Sequence, residues 1–225
     1  SCTLHAVHLD HSIRPESAHD AQAVEKLCAY LDIPLTAMQA DVPELARERS
    51  MGLEEAGREA RQDLFQELLD MESAHLVLTG HHLDDLAEDV LMRLIRGTGW
   101  PTLSGMRAYL PEMRQARPLL MASKDELISL NQALGLAWVE DESNQDSSYL
   151  RNRIRYRVLP LLENENPRLK EQFAGLWRLG RLDQDYWDQA CEQVLEQLVN
   201  HEKNSSNSLK NVQNYSLLNI ELPSH

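Results

Sequence analysis

Apolar residues recur along this chain in two alternating rhythms. Short apolar runs are followed by longer stretches in which apolar positions return every third or fourth residue. "TLHAVHL" at 3–9 reads as a buried strand. After Ser17, the positions Val24, Leu27, Cys28 and Leu31 fall at helical spacing. Pro34 ends that helix and "LTAM" predicts a second strand. Leu53, Ala56, Gly57, Ala60 and Leu64 predict the next helix, and "HLVLTG" the strand after it. The stripe Leu83, Leu86, Ala87, Val90, Leu91, Leu94 and Ile95 predicts a helix that Gly97 and Gly99 stop, with Pro101 beyond. Ser123 and Glu126 have the spacing of a capping box, opening a helix that Gly135 closes. "LAWVE" predicts a further strand. Strands alternating with amphipathic helices predict an α/β fold, a parallel sheet flanked by helices. From about Tyr156 the pattern is helical, and the polar run "HEKNSSNSLKNVQNYS" at 201–216 reads as a linker.

In sheets of this kind ligands bind beyond the carboxyl ends of the strands. That directs attention to two polar turns, "HAVHLDHSIRPES" from His5 and "TGHHLDDLAEDVLMRLIRGTG" from Thr79, both of which follow strands. In the second, Asp85 and Glu88 are three apart and share a helix face. Helix capping and a solvated acidic face account for them without any ligand. The same pair also suits Mg²⁺, which takes one or two carboxylates together with phosphate oxygens and water. Adjacent His81 and His82 point in different directions with no cysteine near, so a hydrogen-bonding role fits them better than zinc. Asp89 and Arg93 read as a surface ion pair. A third segment, "WVEDESNQDSSYLRNRIR", places Glu140, Asp141 and Glu142 ahead of a guanidinium-rich run.

Composition adjusts this picture in three ways. The length of 225 residues predicts one large domain, or one with part of a second. No apolar run approaches the ~18 residues of a membrane span, and no signal-peptide order is visible. Three cysteines, Cys2, Cys28 and Cys191, lie far apart without metal-binding spacing, which points to a reducing compartment and a cytoplasmic protein. The net charge of −14 argues against bulk attraction to nucleic acid. Arg151, Arg153, Arg155 and Arg157 nevertheless form a local basic segment, read either as a solvated face or as a polyanion contact. Neither a Walker-type phosphate loop nor a dinucleotide-binding glycine motif is present. Spacing alone stops at an α/β protein that binds a phosphorylated ligand.

Taken together the segments carry a more specific resemblance. "HAVHLDHSIRPES", "EEAGREAR", the run from Thr79 to Gly99, "RPLL" at 117–120 and "EDESN…RNRIR…VLPLL…NP" stand in the order of the bacterial tRNA(Ile)-lysidine synthetases. These are PP-loop ATP pyrophosphatases with a Rossmann-like, adenine nucleotide α-hydrolase-like fold. The resemblance covers about residues 5–167 and is specific in combination. It departs from the family pattern at Asp10 and Ser12, where Asn and Gly are usual, at Asp89 for Thr, and at Thr102 for Gly.

The resemblance implies a ligase that joins free lysine to the wobble cytidine of a CAU-anticodon isoleucine tRNA, splitting ATP to AMP and pyrophosphate. It implies Asp85 and Glu88 as functional carboxylates that bind Mg²⁺ or the lysine amine, supported by Asp84 and His82. It places Ala6, Val7 and His8 near the adenine, and Arg58, Arg61 and Arg117 toward ATP or tRNA phosphate. Arg14, Arg151, Asn152 and Arg155 are implied for tRNA or the adenylated intermediate. Partners are the tRNA anticodon loop and free lysine, no membrane is involved, and a homodimer is left open. The family pattern begins with a strand and an SGGxDS loop, which here would precede Ser1. The expected layout is a catalytic domain over 1–157 without that loop, a helical linker region over 158–200, and a linker with the start of a further domain over 201–225. A chain so composed is expected to be inactive or weak alone. Two alternatives are weighed: a PP-loop tRNA thiolase, whose cysteine pairs this chain lacks, and a non-catalytic tRNA- or nucleotide-binding remnant.

Overall fold

A computed structural model describes residues 3–11, 17–71, 74–136, 138 and 149–208. Strand β1 (Ala6–Asp10) leads to helix α1 (Ser17–Tyr30), strand β2 (Leu35–Gln39), and helices α2 (Val42–Glu48) and α3 (Leu53–Asp70). Strand β3 (Val77–Leu78) then feeds helix α4 (Leu83–Ile95). Strands β4 (Tyr109–Leu110) and β5 (Gln115–Ala116) precede helix α5 (Lys124–Ala133). Helix α6 (Leu150–Arg153) passes through a π-helical segment, Ile154–Val158, into α7 (Leu159–Glu165), and α8 (Leu169–Ser208) follows.

Strand order supports the α/β expectation and refines it. β1 and β2 pair in parallel, Ala6 with Leu35 through Asp10 with Gln39. β3 pairs in parallel with β5, which pairs antiparallel with β4. Two small sheets are therefore described, in the orders β1-β2 and β3-β5-β4. β1 was expected to be buried; all five of its residues are only half-buried, as suits a strand with a single described neighbour. "HLVLTG" contributes only Val77 and Leu78 to a strand. In "LAWVE", Leu136 and Trp138 are not extended in a ladder, and the other three positions lie outside the described residues.

The helices follow their patterns closely. α4 buries Leu83, Leu86, Ala87, Val90 and Leu91 of the predicted stripe, while Leu94 and Ile95 at its end are exposed. It sits between two clusters. Leu83, Leu86 and Val90 pack with Leu120 and Ala174 of α8, while Ala87 and Leu91 pack with Ile154 and Leu159. Full burial of side chains of this size contributes about 1.5–3 kcal/mol each, which is why α4 is the fixed element around which the rest is arranged. At α5 the capping box forms as expected: the Glu126 backbone N–H donates to Ser123 Oγ at 3.2 Å, and the Ser123 N–H donates to Glu126 Oε2 at 2.8 Å.

The C-terminal region differs from the expected layout in two respects. Leu159, Phe173, Ala174 and Trp177 join the clusters around α4, so the first half of α8 belongs to the core rather than to a linker. The helix also continues to Ser208, into the polar run read as a linker. A polar run keeps helical backbone when it extends a helix already nucleated by packing, since propagation costs far less than nucleation.

Candidate functional site

Helix α4 starts at the end of β3, and its first turn carries the polar residues. His82 is the N-cap, and its backbone N–H donates to Asp85 Oδ2 at 3.0 Å. Capping thus describes Asp85 correctly, and the helix dipole favours a carboxylate there. The solvated acidic face does not describe Glu88, which is 1% exposed, or Asp85, at 8%. A lone buried carboxylate is prohibitively costly, so partners must be present.

They come from α6 and the π-helical segment. Arg151 Nε donates to Glu88 Oε2 at 2.7 Å, and its Nη2 to Asp85 Oδ1 at 2.7 Å. Arg155 Nε donates to Glu88 Oε1 at 2.5 Å, and its Nη2 to Glu88 Oε2 at 3.0 Å and Asp85 Oδ1 at 3.3 Å. Two carboxylates and two guanidiniums form one interlocked, charge-balanced clasp. Each guanidinium spends Nε and Nη2 on it and keeps Nη1 clear of it. In Arg155 burial alone would lower the pKa, and the Glu88 contact together with Asp85 reverses that into a rise. Asn152 is half-buried between these arginines in sequence and is itself engaged.

The clasp bears directly on Mg²⁺. All four oxygens of Asp85 and Glu88 already accept from guanidinium or backbone donors. Among the described residues no three His, Cys, Asp or Glu side chains converge as a ligand set. A cation held by Asp85 and Glu88 would share these oxygens with the guanidiniums and the His82 backbone N–H.

Asp84 points the other way and acts as a tie. It is ion-paired to Lys170 of α8, and Oδ2 accepts from the Lys124 backbone N–H at 3.0 Å. Burial works to raise its pKa, but His82, Lys170 and the Lys124 N–H outweigh it and hold the carboxyl well below the usual range. Lys170 also meets Glu163 at 3.1 Å. His82 lies 3.6 Å from Asp84 and 3.5 Å from Asp85, and these carboxylates, Asp84 first, raise its pKa against the effect of burial. Asp84 and His82 thus join α4, α5 and α8.

A third group faces the strand ends. His81 Nδ1 shares a hydrogen bond with Thr79 Oγ1 at 2.9 Å, the role expected for a histidine there. Burial lowers its pKa first, and Arg117, Arg151 and Arg61 lower it further. Three sequence-distant guanidiniums thus bear on one ring. Arg117 Nη1 donates to the Arg107 carbonyl at 2.6 Å, and burial pushes its pKa down. Arg58 is exposed and adds to the positive field at Arg117. Arg61 contacts His11 and lines a cleft of about 310 Å³ with Val7, His8, Leu64 and Phe65. Ala6, by contrast, pairs with Leu35 at the start of its strand and is not among the residues lining that cleft. Arg14 and the acidic run Glu140–Glu142 lie outside the described residues. Asp89 and Arg93 pair at 2.8 Å as expected. Lys170 and His11 escaped the sequence reading. Lys170 sits in no motif, and His11 was noticed only as a member of its turn.

Comparison with known proteins follows the same lines. The PP-loop domain family matches residues 1–162. Among curated proteins, the tRNA(Ile)-lysidine synthase of Nitratidesulfovibrio vulgaris is 50% identical over 186 residues, covering 83% of this chain and 54% of the relative. That of Enterococcus faecalis is 36% identical over 198 residues, covering 87% of this chain and 42% of the relative. The chain thus spans about half the length of these relatives. Among solved structures, the U34-tRNA thiolase NcsA of Methanococcus maripaludis, with its 4Fe–4S cluster, superposes with a TM-score of 0.62 at 20% identity, over 80% of this chain and 62% of that one. At that identity the likeness speaks to the fold.

Proposed function

This chain belongs to the PP-loop family, and on that premise we propose that it is the catalytic region of a tRNA(Ile)-lysidine synthase. The observation that carries the proposal is the buried clasp of Asp85 and Glu88 with Arg151 and Arg155, close to His81, on which Arg61 and Arg117 also bear electrostatically. In the proposed reaction the cytidine O2 attacks the α-phosphorus of ATP and pyrophosphate leaves. The amine of lysine then attacks C2, and AMP departs with the oxygen. A carbonyl that is a poor electrophile becomes reactive because its oxygen now leaves as a phosphate ester. The target base lies in a single-stranded loop, where it can be splayed out without melting a duplex.

The protein's own contribution is electrostatic and positional. Asp85 and Glu88 hold the two guanidiniums in register. Arg151 and Arg155 then turn their Nη1 edges toward the phosphate of the adenylated intermediate or of tRNA, as bidentate-capable cations do. Arg61 and Arg117, with Arg58 farther out, serve the polyphosphate, and Val7 and His8 the nucleotide beside it. Where Mg²⁺ binds, Asp85 and Glu88 are the carboxylates that would hold it, and it would neutralise charge on the phosphates. The proposal includes a cytoplasmic setting, with tRNA(Ile) and free lysine as partners. Whether the chain forms a homodimer is a separate question for sedimentation. Among the described residues, Cys28 is buried on α1 and Cys191 exposed on α8, with no pairing between them to support a thiolase reading.

A segment exchange tests this. Residues 1–167 of this chain replace the matching segment of the Nitratidesulfovibrio vulgaris synthase. The exchange protein is expected to catalyse tRNA-dependent exchange of radiolabelled pyrophosphate into ATP and, with lysine, to leave lysidine at the wobble position. A folded exchange protein that binds tRNA but performs no exchange would favour a non-catalytic remnant. A 2-thio product would favour the thiolase.

A further inference from the structure

The clasp explains how two arginines are held, but Arg61, on α3, has no carboxylate partner among the described residues. Its Nη2 instead lies 3.1 Å from Nε2 of His11. A guanidinium has donors only, so Nε2 must accept, and an imidazole that accepts at Nε2 is neutral with its proton on Nδ1. His11 stands one residue past the end of β1, on the wall of the same cleft. Its ring is seated over Gly57, where a Cβ would come within 3.4 Å of Nδ1. Gly57 and Arg61 are four apart on α3, so one helix face supplies both the seat for the ring and the cation the ring meets.

We infer that His11 is a positioning residue: its neutral ring, accepting at Nε2, aims the Arg61 guanidinium at the strand-end space where the phosphates of the nucleotide lie. The inference rests on the reading above for the identity of that ligand, but not for the pairing itself. Among the described residues, the charged or titratable groups that bear on the ring are Arg61 from α3 and Asp10 and His8 from its own turn. Burial lowers the His11 pKa, Arg61 and His8 lower it further, and Asp10 opposes them. Protonation would turn Nε2 into a donor and set two cations face to face. The pairing therefore holds above the lowered pKa and opens as pH falls through it.

Two measurements on this chain test the inference. Long-range nitrogen–proton NMR correlations on histidine-labelled protein should show His11 as the neutral Nδ1–H tautomer, persisting below the ordinary value of 6.5. ATP titrations should show His11→Ala weakening affinity by about tenfold to a hundredfold, the loss of one hydrogen bond to a charged group. His11→Gln, whose carbonyl can accept from Arg61, should stay within about twofold of the parent. In an Arg61→Ala background, His11→Ala should have no further effect. An Nε2–H tautomer overturns the pairing. Equal losses in His11→Ala and His11→Gln, or a loss that persists undiminished without Arg61, overturn the positioning role. If the parent binds no ATP, the nucleotide role of the pair falls, the tautomer alone decides the pairing, and the exchange protein decides the proposed function separately.

Discussion

Asp84 fastens three helices together. Its carboxylate joins Lys170, the Lys124 backbone N–H and His82, and its pKa is held below the usual range. A depressed native pKa adds stability that is present above the unfolded value and is lost as pH falls through the native one. Asp84→Asn should therefore cost about 2 kcal/mol at neutral pH, and the difference from the parent should shrink toward zero in strong acid. Urea midpoints for the two proteins across pH check this; a difference that does not change with pH would contradict it. The motif "HHLDDLAE" made these residues legible as a group, yet it could not divide their roles. That division depends on Lys170, 86 positions beyond Asp84 and in no motif, and on which way each carboxylate leaves the first turn of α4. His11 was hidden for a similar reason, since only the fold brings Arg61 against its ring.

At the scale of elements, the contact between α8 and the turn after α4 is unusually close. Gly180 is buried, and a Cβ there would lie 2.2 Å from Ser104 Oγ and 2.3 Å from Ser104 Cβ. Arg181 Nη2 donates to the same Ser104 Oγ at 2.9 Å, and Trp177 Nε1 to the Met106 carbonyl at 2.8 Å. Gly180→Ala should thus destabilise by about 1–3 kcal/mol through overpacking. Gly175, in the same helix, would place its Cβ in open space. Gly175→Ala should stabilise by about 0.5–1 kcal/mol through helix propensity. Thermal melts of the two variants should move in opposite directions, and a common direction would contradict the packing described. The elements themselves were legible where periodicity was strong. α4 and α5 appeared with their stripe and cap, and β1 and β2 with their apolar runs. What escaped were features set by tertiary contact: the two-residue β3, the π-helical segment carrying Arg155, and the extension of α8 beyond residue 200.

For the molecule as a whole, net charge and site charge run in opposite directions. The chain carries −14, yet Arg61, Arg117 and Arg151 bear jointly on His81. An acidic exterior with a locally cationic recess suits a protein that must admit a polyanion at one place only. The order of the sequence segments pointed to this site before any geometry: His11 follows β1, the run from Thr79 follows β3, Arg117 follows β5, and the arginines from Arg151 return to α4. What order could not supply was the clasp, in which both carboxylates accept from two guanidiniums. The most direct test concerns Glu88. Removing one partner of a buried ion pair costs about 3–5 kcal/mol, so Glu88→Gln must be assayed well below its melting temperature, with folding verified by near-ultraviolet circular dichroism. In the exchange protein, lysidine at the wobble cytidine is quantified by mass spectrometry of tRNA nucleosides. If Asp85 and Glu88 hold the working arginines in place, folded Glu88→Gln forms lysidine at least about a hundredfold more slowly than its parent, in line with the loss of a transition-state contact. Lysidine formed at the parental rate by the folded variant would show that the clasp stabilises the fold and takes no part in the reaction.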